Sequence, residues 1–290
     1  MEIRVFIERE CKWMQKWCIL AHMVDEKMKD LLRKYGIRLN TDAGQHFLTD
    51  EDVLAEIICA ADLSPKDRVF EIGPGIGVLT AELVKRAAKV TSVEIDPRFP
   101  PLIREFTDNA PNLEIIVGNA LQTPTPTDGP YKVVANIPYH ITSPLLHHLF
   151  MESAILPTSI TFLIQREVAE NIASRGSDSI LTVLTRLYGE PSLLRLVSPE
   201  AFLPPPKVDS AVLHIKCYDK PKVDKDTAQK ILNLAKHGMS KRRKMLSNSI
   251  GELPSGMEAL AAVKIDPMRR PQTIKIDEWI ALEAEFAKRR

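Results

Sequence analysis

Long apolar runs are missing from this chain of 290 residues, where stretches such as Ile160–Ile164 fall far short of the roughly 20 residues that cross a bilayer. The sequence therefore reads as having no membrane-spanning helix. A large net charge is missing as well: 39 Lys and Arg stand against 38 Asp and Glu, for a net charge of +1. Bulk charge thus neither demands nor excludes a nucleic-acid partner, and only local clustering can speak to one. Cysteine is scarce. Cys11, Cys18, Cys59 and Cys217 are scattered without a CxxC pair, which argues against a zinc site or a disulfide framework and fits a reducing compartment such as the cytoplasm. No internal repeat and no low-complexity tract is found.

What is present is ordinary globular material, 44% hydrophobic and 27% charged, in a length that allows one large domain or two average ones. Residues 1–22 hold Trp13, Trp17, Cys11 and Cys18, lack a small-residue cleavage site and carry Glu2, Glu8 and Glu10, so they read poorly as a targeting signal. Two readings of them stand: a short added helix, or an extension ahead of a true start at Met23.

From residue 51 onward helical and strand periods alternate, the pattern of βα units and a mostly parallel sheet. Val53, Leu54, Ile57 and Ile58 follow the acidic start Asp50-Glu51-Asp52 at helical spacing. Strands are expected at Val69–Ile72, Val90–Ile95, Leu113–Val117, Lys132–Ile137 and Ile160–Gln165, with helices near 79–87, 98–106, 142–151 and 166–174. Ser192–Val197 and Ser210–Lys216 read as two further strands forming an antiparallel pair, since Pro204-Pro205-Pro206 between them cannot enter a central ladder. A polar stretch at 219–226 then places a boundary near 218–225, followed by four expected short helices at Thr227–Gly238, Lys241–Ile250, Gly256–Val263 and Ile276–Ala287.

Val69–Ile72 runs into Gly73-Pro74-Gly75-Ile76-Gly77 and then a helix, the strand, loop and helix context that gives a glycine loop meaning. A dinucleotide fingerprint from Gly73 would need glycine at 78, where Val78 stands, so pyrophosphate cradling is disfavoured. Glu94 and Asp96 end the next strand, where a carboxylate can accept from ribose hydroxyls. A nucleoside ligand without a phosphate loop points to S-adenosylmethionine, the alternative being a plain βα turn with a solvated strand end. Asn119, at the end of the third strand, has an amide able to pair with the edge of adenine.

The fourth strand ends in Asn136-Ile137-Pro138-Tyr139. An exocyclic amino nitrogen is a poor nucleophile because its lone pair is conjugated into the ring. Oxygens of the Asn136 side chain and the Ile137 backbone could bind its two hydrogens and aim the lone pair at a methyl group. Pro138 stiffens the loop and Tyr139 offers a stacking face. An Asx-type turn with a core tyrosine is the competing reading. His147-His148 lack a partner at metal-like spacing and read as helix-surface or packing residues.

Together, Gly44-Gln45-His46-Phe47-Leu48, Glu71–Gly77, Val93-Glu94-Ile95-Asp96, Asn136–Tyr139 and Phe202–Ser210 resemble the small-subunit ribosomal RNA adenine dimethyltransferases of the kasugamycin-resistance type, from about Met23 to the C-terminus. The resemblance implies an α/β fold: a Rossmann-like class I methyltransferase domain over 23–217 and a small helical RNA-binding domain over 218–290. It implies transfer of two methyl groups from S-adenosylmethionine to N6 of each of two neighbouring adenosines near the 3′ end of small-subunit rRNA. The partner would be the immature small ribosomal subunit, and the protein a monomer. By motif, His46, Leu48 and Asn136 would border the donor, and Gly73, Gly75 and Gly77 would cradle it. Glu94, with Ile95, would take the ribose side and Asn119 the adenine. Asn136, Ile137, Pro138 and Tyr139 would form the catalytic loop, and Phe202 would help clamp a flipped base. Two departures stand out: the family usually has Asp where this chain has Asn119, and Phe99-Pro100-Pro101 implies a delayed helix after Asp96.

Such a pocket requires an extruded or loop nucleotide. Lys236–Lys244 holds five Lys or Arg and no acid, giving Lys241, Arg242, Arg243 and Lys244 as candidate RNA contacts, with Arg269-Arg270 and Arg289-Arg290 adding charge. Two alternatives remain: a non-catalytic assembly factor binding immature small subunits, and a DNA adenine methyltransferase, against which Ile137 replaces an expected proline.

Overall fold

The computed structural model of the chain describes residues 21–39, 44–174, 176, 179–240 and 243–289. The expected extension 1–22 lies outside the described residues except for Ala21 and His22, which open a helix. The chain divides into two compact units: one runs to Ala169 and resumes over Ser192–Cys217, and the other comprises Glu170–Pro191 and the residues from Tyr218 onward. The composition break near 218 marks the second departure from the first unit. The earlier departure, over 170–191, has no shift in composition to announce it.

In chain order the elements are α1 (Ala21–Lys34), β1 (Phe47–Leu48), α2 (Glu51–Ala61), β2 (Arg68–Ile72), α3 (Val78–Val84), β3 (Lys89–Glu94), α4 (Pro100–Phe106), β4 (Leu113–Val117) and β5 (Lys132–Asn136). There follow α5 (Thr142–His147), β6 (Ser159–Gln165), α6 (Arg166–Ala173), α7 (Ile180–Tyr188), β7 (Gly189–Val197), β8 (Phe202–Leu203), β9 (Ser210–Cys217), α8 (Lys225–Ser240), α9 (Gly256–Ala262) and α10 (Ile276–Ala287). The α2 start is built as its sequence suggests: the Asp50 carboxylate accepts the Val53 N–H at 3.0 Å, and Glu51 and Asp52 sit in the first turn, where the helix dipole favours acids. Pro100 opens α4, a position where its missing N–H costs nothing, so the expected helix delay is one of register.

The main sheet has the order β4-β3-β2-β5-β6-β9-β7. The pairs among β2 to β6 are parallel, and β9 runs antiparallel to β6. Ser210–Cys217 thus enters the interior of the sheet, beside both β6 and β7, and Pro191 falls on the outermost strand. β6 is buried along all but its last residue, which suits a near-continuous apolar run. The chain moves outward from β2 through β3 to β4, then returns to β5 on the other side of β2. That reversal opens a crevice at the carboxyl ends of β2 and β5, the place where open α/β sheets take ligands.

A second, two-stranded sheet pairs β1 with β8, Phe47 opposite Leu203 and Leu48 opposite Phe202. The Ala201 carbonyl fastens it further, accepting from the Thr49 and Asp50 N–H groups at 2.8 and 3.2 Å and from the Thr49 hydroxyl at 3.1 Å.

In the second unit, α7 is capped by Ser179, whose hydroxyl accepts the Thr182 N–H at 3.1 Å. Trp279 of α10 is wholly buried, and Gly238 lets α8 come close to it: a Cβ there would lie 3.2 Å from the indole ring. The helix expected over Lys241–Ile250 is not formed across its described part, which holds short 3₁₀ turns at Leu246–Asn248 and Ile250–Glu252. Ser247, Asn248 and Ser249 favour turns over helix, and the two turns still bury Leu246 and Ile250.

Candidate active site

Loops from the carboxyl ends of β2, β3, β4 and β5 close, with the β1 and β8 segments, around a cavity of about 350 Å³ in the first unit. His46, Leu48, Gly73, Gly75, Glu94, Ile95, Asn119, Asn136, Ile137, Pro138, Tyr139 and Phe202 all line it. Gly77 does not. It takes φ +97° at the start of α3, and a Cβ there would meet Ile103 of α4 at 3.4 Å, so its place is in helix packing. Gly75, at φ +58°, has the Phe47 ring directly where a Cβ would project.

Glu94 is buried at the end of β3. Its Oε2 accepts the Gly75 N–H at 3.0 Å and its Oε1 accepts the Asp96 N–H at 2.9 Å. A carboxylate oxygen has two lone pairs, so each can accept a further hydroxyl. Burial pushes the Glu94 pKa up, against the pull of those backbone bonds. Beside it Ile95 presents an apolar side chain that is 69% exposed.

Glu71, 1% exposed, also lines the cavity and was given no role by sequence reasoning. The Thr80 hydroxyl donates to both of its oxygens at 3.1 and 2.9 Å, and Ser92 donates to Oε2. Burial raises its pKa to about 7, with those hydroxyls opposing and Glu94 adding to the rise. Because the carboxyl stays protonated in the fold but ionises near 4.5 when unfolded, stability falls as pH rises from about 4.5 through about 7. Glu71→Gln removes that slope. Relative to wild type, the variant gains about 3 kcal/mol between pH 4 and pH 8 in urea unfolding, and equal wild-type and variant pH profiles would contradict the burial argument.

Asn119 turns the chain after β4: its Oδ1 accepts the Leu121 N–H at 3.0 Å, while its carbonyl accepts from the Thr123 N–H and hydroxyl at 2.9 and 3.0 Å. Asn136 ends β5. Its Nδ2 donates to the His46 carbonyl at 3.1 Å, which directs the amide oxygen away from that carbonyl. The His46 ring is fixed by an Nδ1 contact of 2.8 Å with the Pro204 carbonyl and stacks on Tyr139 at 6.4 Å and 17°. The Tyr139 hydroxyl lies 2.6 Å from the Ser210 hydroxyl, and burial pushes the phenol pKa up. Phe202, 4% exposed, reaches the cavity from β8. Phe99, flanked by the prolines and edge-on to Phe47 at 5.8 Å, is a lining residue that no sequence signal marked.

The chain matches the family described as ribosomal RNA adenine dimethylase over residues 36–288. The chain belongs to this family. Ribosomal RNA small subunit methyltransferase A of Dehalococcoides mccartyi is 39% identical over 269 residues, covering 89% of this chain and 92% of the relative. The protein of that name from Clostridium botulinum is 37% identical over 262 residues, covering 87% and 95%. Among solved structures, a dimethyladenosine transferase from Plasmodium falciparum superposes with a TM-score of 0.70 at 26% identity, covering 84% of this chain and 98% of that one. The 23S rRNA methyltransferase ErmE gives 0.66 at 28% identity, covering 83% and 99%. The chain is thus an rRNA adenine dimethyltransferase of the Rossmann-like class I fold with S-adenosylmethionine as methyl donor.

Of the candidate RNA contacts, Lys241 and Arg242 lie outside the described residues, and Arg243 and Lys244 are exposed in the second unit. Arg269 is committed elsewhere, holding Glu278 through two bonds of 2.6 and 3.0 Å, and Arg289 pairs with Glu285 at 2.8 Å. No helix among the described residues is long and apolar enough to cross a membrane.

Proposed function

We propose that this chain dimethylates N6 of two neighbouring adenosines near the 3′ end of small-subunit rRNA, acting in the cytoplasm as a monomer on the immature small subunit. The carrying observation is the polarity of the Asn136 amide: with Nδ2 spent on the His46 carbonyl, Oδ1 is left to accept from an amino group. A pure binding factor would have no use for that arrangement.

The donor fits the cavity's own construction. Gly75 lets the Phe47 ring close directly over the glycine loop, where a Cβ would collide with it, and Glu94 keeps lone pairs for ribose hydroxyls. Asn119 faces the adenine and Ile95 supplies an apolar flank. Bound there, S-adenosylmethionine supplies an electrophilic methyl group. Asn136 Oδ1 and the Ile137 carbonyl hold the two N–H groups of the target amine and turn its lone pair out of conjugation. Once the sulfur has left as S-adenosylhomocysteine and the methylated nitrogen has lost one proton to water, one N–H remains, so a single acceptor still orients the nitrogen for the second transfer from a fresh donor. Tyr139 and Phe202 hold the extruded base by stacking, worth about 1–3 kcal/mol per base. Orientation toward an already reactive methyl supplies much of the acceleration. Arg243 and Lys244, with Lys241 and Arg242, bind phosphates.

Small subunits from cells lacking the enzyme accept label from S-adenosylmethionine, and mass spectrometry then finds two adjacent dimethyladenosines in the 3′ region. Label confined to large-subunit RNA would overturn the substrate assignment. Asn119→Asp keeps an oxygen for the Leu121 N–H and exchanges the remaining amide donor for an acceptor suited to the adenine amino group. Calorimetry is expected to show donor binding tighter by about 3–10-fold, the scale of one charge-assisted hydrogen bond.

A further inference from the structure

Helix α5 runs into a widened turn, His148–Glu152, closed by the Ser153 N–H on the His148 carbonyl at 3.2 Å. This i to i+5 spacing is frequent at functional positions. The His148 side chain is 11% exposed. Its Nδ1 lies 2.7 Å from Glu152 Oε2 and its Nε2 lies 3.2 Å from the Thr123 carbonyl. Both neighbours are acceptors, so the ring nitrogen facing the Thr123 carbonyl bonds it by donating. Glu152, whose pKa is lowered first by its bond to His148, also has His147 Nδ1 3.3 Å from its other oxygen. Thr123 then grips the Asn119 carbonyl with both its N–H and its hydroxyl. A continuous line of bonds therefore runs from Glu152 through His148 and Thr123 to a turn whose residues Gly118, Asn119 and Ala120 line the cavity.

We propose that His148 is a positioning residue for the methyl donor. By donating to the Thr123 carbonyl it fixes the Gly118–Thr123 turn, and so sets affinity for the adenosine end of the donor without touching the reacting atoms. This rests on the reading that Asn119 faces adenine. Adenosine is common to donor and product, so both depend on His148 alike.

His148→Phe keeps a ring of similar size and removes both bonds. The Kd of S-adenosylmethionine and that of S-adenosylhomocysteine are expected to rise together by about 5–10-fold, on the scale of one to two hydrogen bonds. The donor KM rises with them while kcat at saturating donor stays within about twofold. A merely structural role would lower the folded fraction and leave the affinity of the folded enzyme alone. Glu152→Gln, made at a half-exposed carboxylate, keeps an acceptor but not the charge and is expected to weaken both ligands about two- to threefold. Unchanged affinities in folded His148→Phe overturn the proposal, and if that variant does not fold, unchanged affinities in Glu152→Gln do so. Asn119→Ala, measured in parallel, separates two failures. If it weakens binding and His148→Phe does not, the positioning role is wrong; if neither does, the adenine site itself lies elsewhere and the proposal falls with it.

Discussion

Asn136→Asp leaves a folded protein that still binds the donor but loses about 10²–10³-fold in kcat, the usual cost of removing one preorganised hydrogen-bond partner at a reacting centre. The substitution is nearly isosteric, so the loss comes from polarity alone. The amide nitrogen that donates to the His46 carbonyl becomes an oxygen 3.1 Å from another oxygen. An ionised carboxylate is repelled from that place and turns. A protonated one can donate to the His46 carbonyl and present its second oxygen to the amine, as the amide does. Residual activity of Asn136→Asp should therefore climb as pH falls, whereas Asn136→Ala, which lacks both functions, should be low and flat. Single-turnover methylation across pH 5 to 8 distinguishes the two, and parallel profiles would remove His46 from the account.

Gly75→Ala is expected to abolish useful donor binding, weakening it by 10-fold or more, and to cost about 1–2 kcal/mol of stability from the left-handed backbone alone. The added methyl points into the Phe47 ring, which is itself buried and edge-on to Phe99. Phe47 can yield only by moving into the space the donor needs or by loosening β1. Equilibrium dialysis with labelled donor, beside a urea melt, reads both effects. Near-wild-type binding in a folded Gly75→Ala protein would mean that Phe47 moves outward and that the cradle is more forgiving than its geometry states.

The parallel core of the fold was legible because strand periods and β-branched runs are local properties. β4 is found as expected, and β2, β3, β5 and β6 are found within one residue at either end. The loops at their carboxyl ends were legible for the same reason, since a glycine loop, an acidic strand end and an amide each announce themselves within a few residues. What could not be read depends on distant pairings. Nothing near Phe47 says that it meets Leu203, and nothing near His46 says that its carbonyl will set the direction of the Asn136 amide. Glu71 looked like part of a strand because its hydroxyl partners, Thr80 and Ser92, come from a helix and another strand. The described part of the expected helix Lys241–Ile250 shows the opposite error, in which apolar spacing was right but Ser and Asn content decided for turns.

Phe202 and its neighbours meet Phe47 across most of the length of the first unit, and Ser210–Cys217 must slide into the interior of a sheet whose other strands precede it. During synthesis, the glycine loop and the amide loop emerge long before the strands that complete their surroundings. Until those late segments arrive, β6 and β7 keep exposed edges, a state that invites pairing with other chains. A chain cut short before Phe202 lacks both the β8 partner of β1 and the β9 partner of β6, so it is expected not to be a partly competent catalyst.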